Sequence, residues 1–238
     1  MHKLIAAEEQ LFVELNEGRF LVDTGSPLSF ADGSVATFAG EAHRLPRSLM
    51  GVDMSTVRKL VQGPCCGLLG LDVLGKTNLM FDLRGGELHT GANAWDSVAQ
   101  NDRIACDVRA VAGIPVVRVS IGTRSVAAVW DTGAKFGYVA DETICAGAPS
   151  MADIDDFNPI FGEMHSASWL VNVDLAPTRS ASSTNISVIR ERVGILPPLG
   201  AQMLAMLGIE AIIGCSWMGD WHIGLAQECG SMWVARRA

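Results

Sequence analysis

Two short segments carry the residues best suited to chemistry: Asp23-Thr24-Gly25-Ser26 and Asp131-Thr132-Gly133-Ala134. Two carboxylates held side by side share one proton, because two negative charges in contact are costly. Such a pair can hold a water. The ionised member takes a proton from it as general base, and the neutral member protonates a carbonyl oxygen and later helps an amine leave. This is a route to amide hydrolysis. The neighbouring residue types suit it. Leu21-Val22 and Val129-Trp130 precede the aspartates and would anchor each strand in a dry core. Gly25 and Gly133 allow the tight backbone that two approaching loops require. Thr24 and Thr132 can hydrogen-bond the opposite loop and hold the carboxylates coplanar. The Ser26 hydroxyl can bond the outer oxygen of its own aspartate; Ala134 has none, so the two carboxylates are expected to differ.

The elements that must position these loops show as an internal repeat. The aspartates lie 108 positions apart (131 minus 23). A second match, Leu68-Leu69-Gly70 with Ile212-Ile213-Gly214, has an offset of 144. That offset continues without a gap through Gly75 and Gly219, Leu79 and Ile223, Phe81 and Leu225, Gly86 and Gly230, and Leu88 and Met232. Upstream, Met54, Val57, Leu60 and Val61 have helical spacing, with Asp53 as N-cap and Gly63-Pro64 as stop. At the same offset 199–207 reads as a helix, after Pro197-Pro198 and before Gly208.

Each half thus has an apolar strand, an Asp-Thr-Gly loop, further strands, a helix, an apolar-apolar-Gly strand and a closing hairpin. The second half carries 36 extra residues (144 minus 108), which fall within 141–193. The expectation is a mostly β, two-lobed fold with lobes at 1–100 and 101–238, joined by a polar linker at 92–103. Strands are expected at 11–15 and 19–22, around an Asn16-Glu17-Gly18 turn, and at 34–45, 116–121, 126–130, 169–175 and 185–193.

With these parts in this order, the chain resembles the pepsin and retropepsin superfamily of aspartic proteases. The resemblance rests on Asp23-Thr24-Gly25-Ser26, Asp131-Thr132-Gly133-Ala134, Leu68-Leu69-Gly70 and Ile212-Ile213-Gly214, and spans 11–234. One Asp-Thr-Gly is a weak signal. Two, each after apolar residues and each followed by an apolar-apolar-Gly strand, form a strong one. The resemblance implies an acid-protease fold with a pseudo-two-fold repeat, in which the apolar-apolar-Gly strand threads beneath the catalytic loop. It implies an endopeptidase with Asp23 and Asp131 as the dyad, supported by Thr24, Gly25, Ser26, Thr132, Gly133 and Ala134. Water is then the nucleophile, with no metal or organic cofactor. The partner is a peptide or protein substrate, with a preference for apolar flanking residues. Both loops lie in one chain, so a monomer suffices to build the site.

The sequence departs from the pepsin pattern in two ways. Asp23 and Gly70 are only 47 positions apart (70 minus 23), and the first half has no tyrosine for a flap; Tyr138 is the only one in the chain. Each half is nearer to a retropepsin subunit in size. The covering flap is therefore expected in the second half, within 158–169, with Gly162 as its flexible point and Phe161 or Trp169 facing substrate. The alternative is a catalytically inactive protease-like module, kept as a binding or scaffold domain. Its usual sign, loss of one aspartate, is not seen here.

Other function classes find little support. The chain has 238 residues, 49% of them apolar, which is enough for a core without staples. Its net charge is −8, and its only basic doublets are Arg58-Lys59 and Arg236-Arg237, a poor match to a phosphate-binding surface, so no nucleic-acid partner is expected. His2, His43, His89, His165 and His222 are scattered and form no H-x-x-x-H pair, so no metal site is expected. Cys65, Cys66, Cys106, Cys145, Cys215 and Cys229 contain no C-x-x-C and are expected to be buried thiols. The N-terminus reaches Glu8-Glu9 too soon for a signal-peptide core, and no apolar run of membrane-spanning length escapes a charge or a proline. A cytoplasmic protein without a membrane partner is the expectation.

Overall fold

A computed structural model describes residues 1–7, 10–49, 51–61, 64–158, 162–176 and 189–237, and its architecture is mostly β. In the first half, β1 (His2–Ala7), β2 (Gln10–Leu15) and β3 (Gly18–Val22) form an antiparallel meander. Five short strands follow: β4 (Phe30–Ala31), β5 (Val35–Phe38), β6 (Glu41–Arg44), β7 (Ser48–Leu49) and β8 (Val52–Asp53). Next come α1 (Met54–Leu60), β9 (Gly67–Leu69), α2 (Leu71–Leu74) and a hairpin of β10 (Leu79–Asp82) and β11 (Glu87–Thr90). The second half opens with β12 (Ile104–Cys106), β13 (Val108–Val111), β14 (Ile114–Ile121) and β15 (Arg124–Trp130). It continues with β16 (Gly137–Val139), β17 (Ser150–Asn158), β18 (Gly162–Leu175) and β19 (Ile189–Ile195). It ends with α3 (Pro198–Met206), β20 (Ala211–Ile213) and a hairpin of β21 (Trp221–Leu225) and β22 (Met232–Arg236).

The repeat shows directly in the sheets. In the first half β9 runs parallel to β3 and antiparallel to β4; in the second, β20 runs parallel to β15 and antiparallel to β16. The apolar-apolar-Gly strand therefore lies between the strand entering the Asp-Thr-Gly loop and the strand leaving it. Such a strand is covered on both faces, which is why Leu68-Leu69 and Ile212-Ile213 do not alternate with polar residues.

The two halves meet at β10 and β21, within a ten-stranded sheet drawn from both. Leu79 faces Leu225, Met80 faces Gly224 and Phe81 faces Ile223. Under the offset of 144, Leu79 is equivalent to Ile223 and Phe81 to Leu225, so the pairs exchange. The local two-fold axis thus passes between Met80 and Gly224, themselves equivalent (224 minus 80). Gly224 is required there by close approach. A Cβ on it would sit 2.0 Å from Cε2 of Trp233, which covers it from β22. One core cluster spans both halves, with Phe81 edge-on to Trp130 at 5.4 Å between ring centres.

Several expectations match the structure closely and others do not. Asp53 caps α1, accepting from the N–H groups of Ser55 and Thr56, and Met54, Val57 and Val61 are buried against Phe12, Leu21, Phe30 and Leu68. Of the expected stop, Gly63 lies outside the described residues; Val61 ends the helix, its N–H bonded to the Val57 carbonyl. The single strand expected at 34–45 is instead the hairpin β5–β6. Ala39 and Gly40 are both left-handed, at φ 53 and 85, and reverse the chain; an alanine in that conformation leaves no sequence signal.

The linker at 92–103 is pinned. Ala94 and Val98 are buried, the Trp95 indole donates to the Leu79 carbonyl at 2.9 Å and meets Trp233 edge-on, and Arg103 donates to the carbonyls of Trp95 and Val98. The strand expected at 169–175 is the end of the longer β18. Of that expected at 185–193, 185–188 lie outside the described residues and the rest belongs to β19. All six cysteines are free thiols, five of them buried. Burial pushes the Cys106 thiol up to about 12 and those of Cys145 and Cys229 up to about 11, so they pack rather than react. Among the described residues no helix is long and apolar enough to cross a membrane.

Gly224→Ala should overpack the Trp233 contact at the junction of the halves. It should lower stability in urea by about 2 kcal/mol. An unchanged unfolding midpoint would show that the junction tolerates a side chain there.

Candidate active site

β3 and β15 deliver Asp23 and Asp131 to the same place. Each aspartate leaves its strand with its backbone still held by the parallel neighbour: Asp23 N–H donates to the Leu69 carbonyl and Asp131 N–H to the Ile213 carbonyl, both at 3.0 Å. The next residue crosses to the other loop. The Thr24 N–H donates to the Thr132 hydroxyl at 3.1 Å, and the Thr132 N–H to the Thr24 hydroxyl at 3.0 Å. Each hydroxyl donates in turn to the carbonyl that precedes the opposite aspartate: Thr24 to Trp130 at 2.6 Å, and Thr132 to Val22 at 2.7 Å. Both threonines are fully buried, so these four bonds form without competition from water.

The carboxylates lie against each other over the opposite glycines. Asp23 Oδ1 accepts from the Gly25 N–H at 2.9 Å, and Asp131 Oδ1 accepts from the N–H groups of Gly133 at 2.9 Å and Ala134 at 3.2 Å. A Cβ on Gly25 would sit 2.3 Å from Asp131 Cγ, and one on Gly133 would sit 2.6 Å from Asp23 Cγ. No other residue fits either position while the carboxylates stay where they are. The two side chains are within hydrogen-bonding reach of each other. The Ser26 hydroxyl does not donate to Asp23, as its type allowed. It donates to the Leu28 carbonyl at 2.8 Å, and the Ser26 backbone N–H donates to the Asp23 backbone carbonyl at 3.4 Å.

These surroundings act on the two carboxyls unequally. Burial, the facing Asp131 charge and the hydrogen bond to Asp131 hold the Asp23 carboxyl well above its ordinary 3.8. Burial also raises Asp131, but the bond from Asp23 and the N–H groups of Gly133, Ala134 and Gly25 pull it back. Both carboxyls are thus raised by burial, and the pair shares a proton.

The hairpin β17–β18 belongs to the enlarged second half. Gly162 opens β18 at φ 78, a left-handed conformation suited to a turn. Phe161, with Pro159 and Ile160, lies outside the described residues. Trp169 stands midway along β18, paired with Ser150 and Val193 and packed on the main core. Seven residues of strand, about 23 Å, separate it from Gly162, so it is not at the hairpin tip.

Two residues near the second loop escaped sequence reasoning. The Tyr138 hydroxyl donates to Asp156 Oδ2 at 2.5 Å, tying β16 to β17. Phe136 lies beneath the guanidinium of Arg192 at 5.2 Å and the ammonium of Lys135 at 5.4 Å. Tyr138 could be noticed as the only tyrosine, but its partner comes from a distant strand that no local pattern links to it.

No protein-family model and no curated protein sequence matches the chain. Solved structures do. An aspartic proteinase from Irpex lacteus is similar at a TM-score of 0.54 and 13% sequence identity, covering 100% of this chain and 97% of that one. Basic 7S globulin from soybean is similar at a TM-score of 0.54 and 10% identity, covering 100% of this chain and 94% of that one. At such identities the likeness establishes the fold alone, which is pepsin-like.

Thr24→Val or Thr132→Val should leave the opposite buried N–H without an acceptor and cost about 2 kcal/mol in urea unfolding. The raised carboxyl makes a second prediction. Folded Asp23 keeps a proton that the unfolded chain releases near 3.8, so its contribution is full below 3.8 and is lost as pH rises through the higher folded value. Asp23→Asn should flatten that fall in stability; equal pH slopes for both proteins would contradict the raised carboxyl.

Proposed function

We propose that the chain is an aspartic-type endopeptidase in which Asp23 and Asp131 hold and activate a water. One observation carries this reading. Two carboxylates meet at the junction of two repeat-related loops, locked by reciprocal threonine bonds, and burial raises both. Asp131 takes a proton from the water as its oxygen attacks the peptide carbonyl carbon. Asp23 gives its proton to the carbonyl oxygen, so the intermediate is a neutral geminal diol. As the C–N bond breaks, the proton on Asp131 passes to the departing nitrogen, and Asp23 recovers one from a diol hydroxyl. The N–H groups of Gly133 and Ala134 stabilise the Asp131 charge at the start of this cycle.

We place one loop in each of two lobes, at 1–100 and 101–238, so a monomer is sufficient for a peptide or protein substrate. We further assign the cover over the site to the hairpin β17–β18, where Gly162 opens β18. Support comes from the Tyr138–Asp156 bond and from Met164, which packs with Tyr138 and Leu196. Free thiols on all six cysteines fit a reducing compartment and so a cytoplasmic location.

A second reading, a non-catalytic binding module, is favoured by one finding: the fold is shared with a protein named as a globulin. Digestion of an unfolded protein from acidic to neutral pH separates the two. The enzyme should cleave it, and Asp23→Asn or Asp131→Asn should each lower kcat/KM by about 1,000-fold while the fold is retained. The profile should be bell-shaped, its alkaline limb well above 3.8, where the shared proton leaves Asp23. A folded wild-type protein without cleavage would favour the module.

A further inference from the structure

Glu191 is a buried carboxylate that the reaction above does not use. It projects from β19 and is 1% exposed. Its Oε1 accepts from the Gly214 N–H at 3.2 Å and its Oε2 from the Ser216 hydroxyl at 2.6 Å. Gly214 directly follows Ile213, whose carbonyl holds the Asp131 N–H.

The first half serves the equivalent backbone group differently. The Gly70 N–H donates to the Ser29 hydroxyl at 2.8 Å, and that hydroxyl donates to Asp72 Oδ1 at 2.5 Å. The repeat offsets place Gly137 where Ser29 stands (29 plus 108) and Ser216 where Asp72 stands (72 plus 144). The hydroxyl has become a bare glycine and the carboxylate has become a hydroxyl. Glu191 supplies the missing acceptor from a third position. Its strand has no counterpart in the first half, whose sheet stops at β4, whereas the second continues from β16 to β19. Glycine at 137 makes the room: a Cβ there would lie 3.1 Å from Glu191 Cγ and 2.8 Å from Val193 Cγ1.

We infer that Glu191 is the positioning residue of the second half, holding Gly214 and through it the end of β20 that fixes the Asp131 loop. It also ties that loop to the β18–β19 pair at the base of the long hairpin, where Glu191 faces Val171. A buried hydrogen-bonded carboxylate is costly to keep if packing were its whole purpose. The paired changes at 137 and 216 show that the acceptor was moved rather than lost.

The kinetic part of the test rests on the endopeptidase reading; the titration does not. Glu191→Met keeps the volume but leaves the Gly214 N–H without an acceptor. Glu191→Gln keeps an oxygen for Gly214 and a polar group for Ser216. Both are compared with wild type by kcat and KM on an unfolded protein substrate. The dyad's titration is followed by 13C NMR on protein labelled at the aspartate carboxyls. Glu191→Met should lower kcat by about 10- to 100-fold with KM within about threefold. It should also raise the lower apparent pKa of the dyad, because the N–H groups on Asp131 are no longer held in register. Glu191→Gln should match wild type within about threefold and leave the titration in place.

A folded Glu191→Met protein with wild-type kcat and titration overturns the inference. So does Glu191→Gln as impaired as Glu191→Met, since charge rather than hydrogen bonding would then be at work. Should Glu191→Met not fold, Ser216→Ala, which releases Oε2 alone, takes its place in both readouts. The same direction of shift is expected, and an unmoved titration overturns the inference. A wild-type protein that cleaves nothing counts against the endopeptidase reading, while the carboxyl titrations still decide on Glu191.

Discussion

The structure turns on four hydrogen bonds between Thr24 and Thr132 and the opposite loops. Two carboxylates in contact repel unless they share a proton, and a buried pair has little water to screen it. Something must hold the loops together against that repulsion. The threonines do so because each bond has a partner related to it by the local two-fold axis. A slip of either loop leaves buried donors and acceptors unpaired on both sides at once. The parallel strands β9 and β20 add the second constraint, gripping each aspartate's N–H, so that the turn begins at the same residue in both halves.

The two-fold relation appears at two places with two different offsets. It relates Thr24 to Thr132 at 108 and Met80 to Gly224 at 144. Both can hold in one molecule because the extra residues of the second half are added beyond β16, where β19 and β18 carry the sheet round to pair again with β14 and β17 lies outside. Growth on that side leaves the pairings of β15 with β20 and of β10 with β21 in place. It also lets the halves diverge without disturbing the dyad. The acceptor for the Gly70 N–H is local to the first half, while that for the Gly214 N–H comes from the added strand β19. The asymmetry reaches the carboxylates themselves, with Asp131 Oδ1 accepting from two N–H groups and Asp23 Oδ1 from one.

What was legible in the sequence was what local chemistry repeats. The Asp-Thr-Gly loops, the apolar-apolar-Gly strands and the capped helix α1 each require particular residues within a few positions, and each occurs where its motif stands. Misreadings arose where a local pattern had two outcomes. Residues 34–45 have strand character throughout, but Ala39 turns left-handed and folds them into a hairpin. Ser26 carries a hydroxyl in the right place, and the loop turns it toward Leu28.

The sequence by itself therefore determined the chemistry on offer: two aspartates, two threonines and two glycines in matched frames, of which the glycines are obligatory because a Cβ would strike the opposite carboxylate. It also carried the two offsets, and with them the place of the insertion. Only the tertiary structure decided how many N–H groups each carboxyl receives and which side chain braces each loop. The bracing depends on groups brought together from strands more than twenty residues apart, such as Glu191 and Gly214. Burial and hydrogen-bond geometry set their energies, and neither exists until the strands have paired.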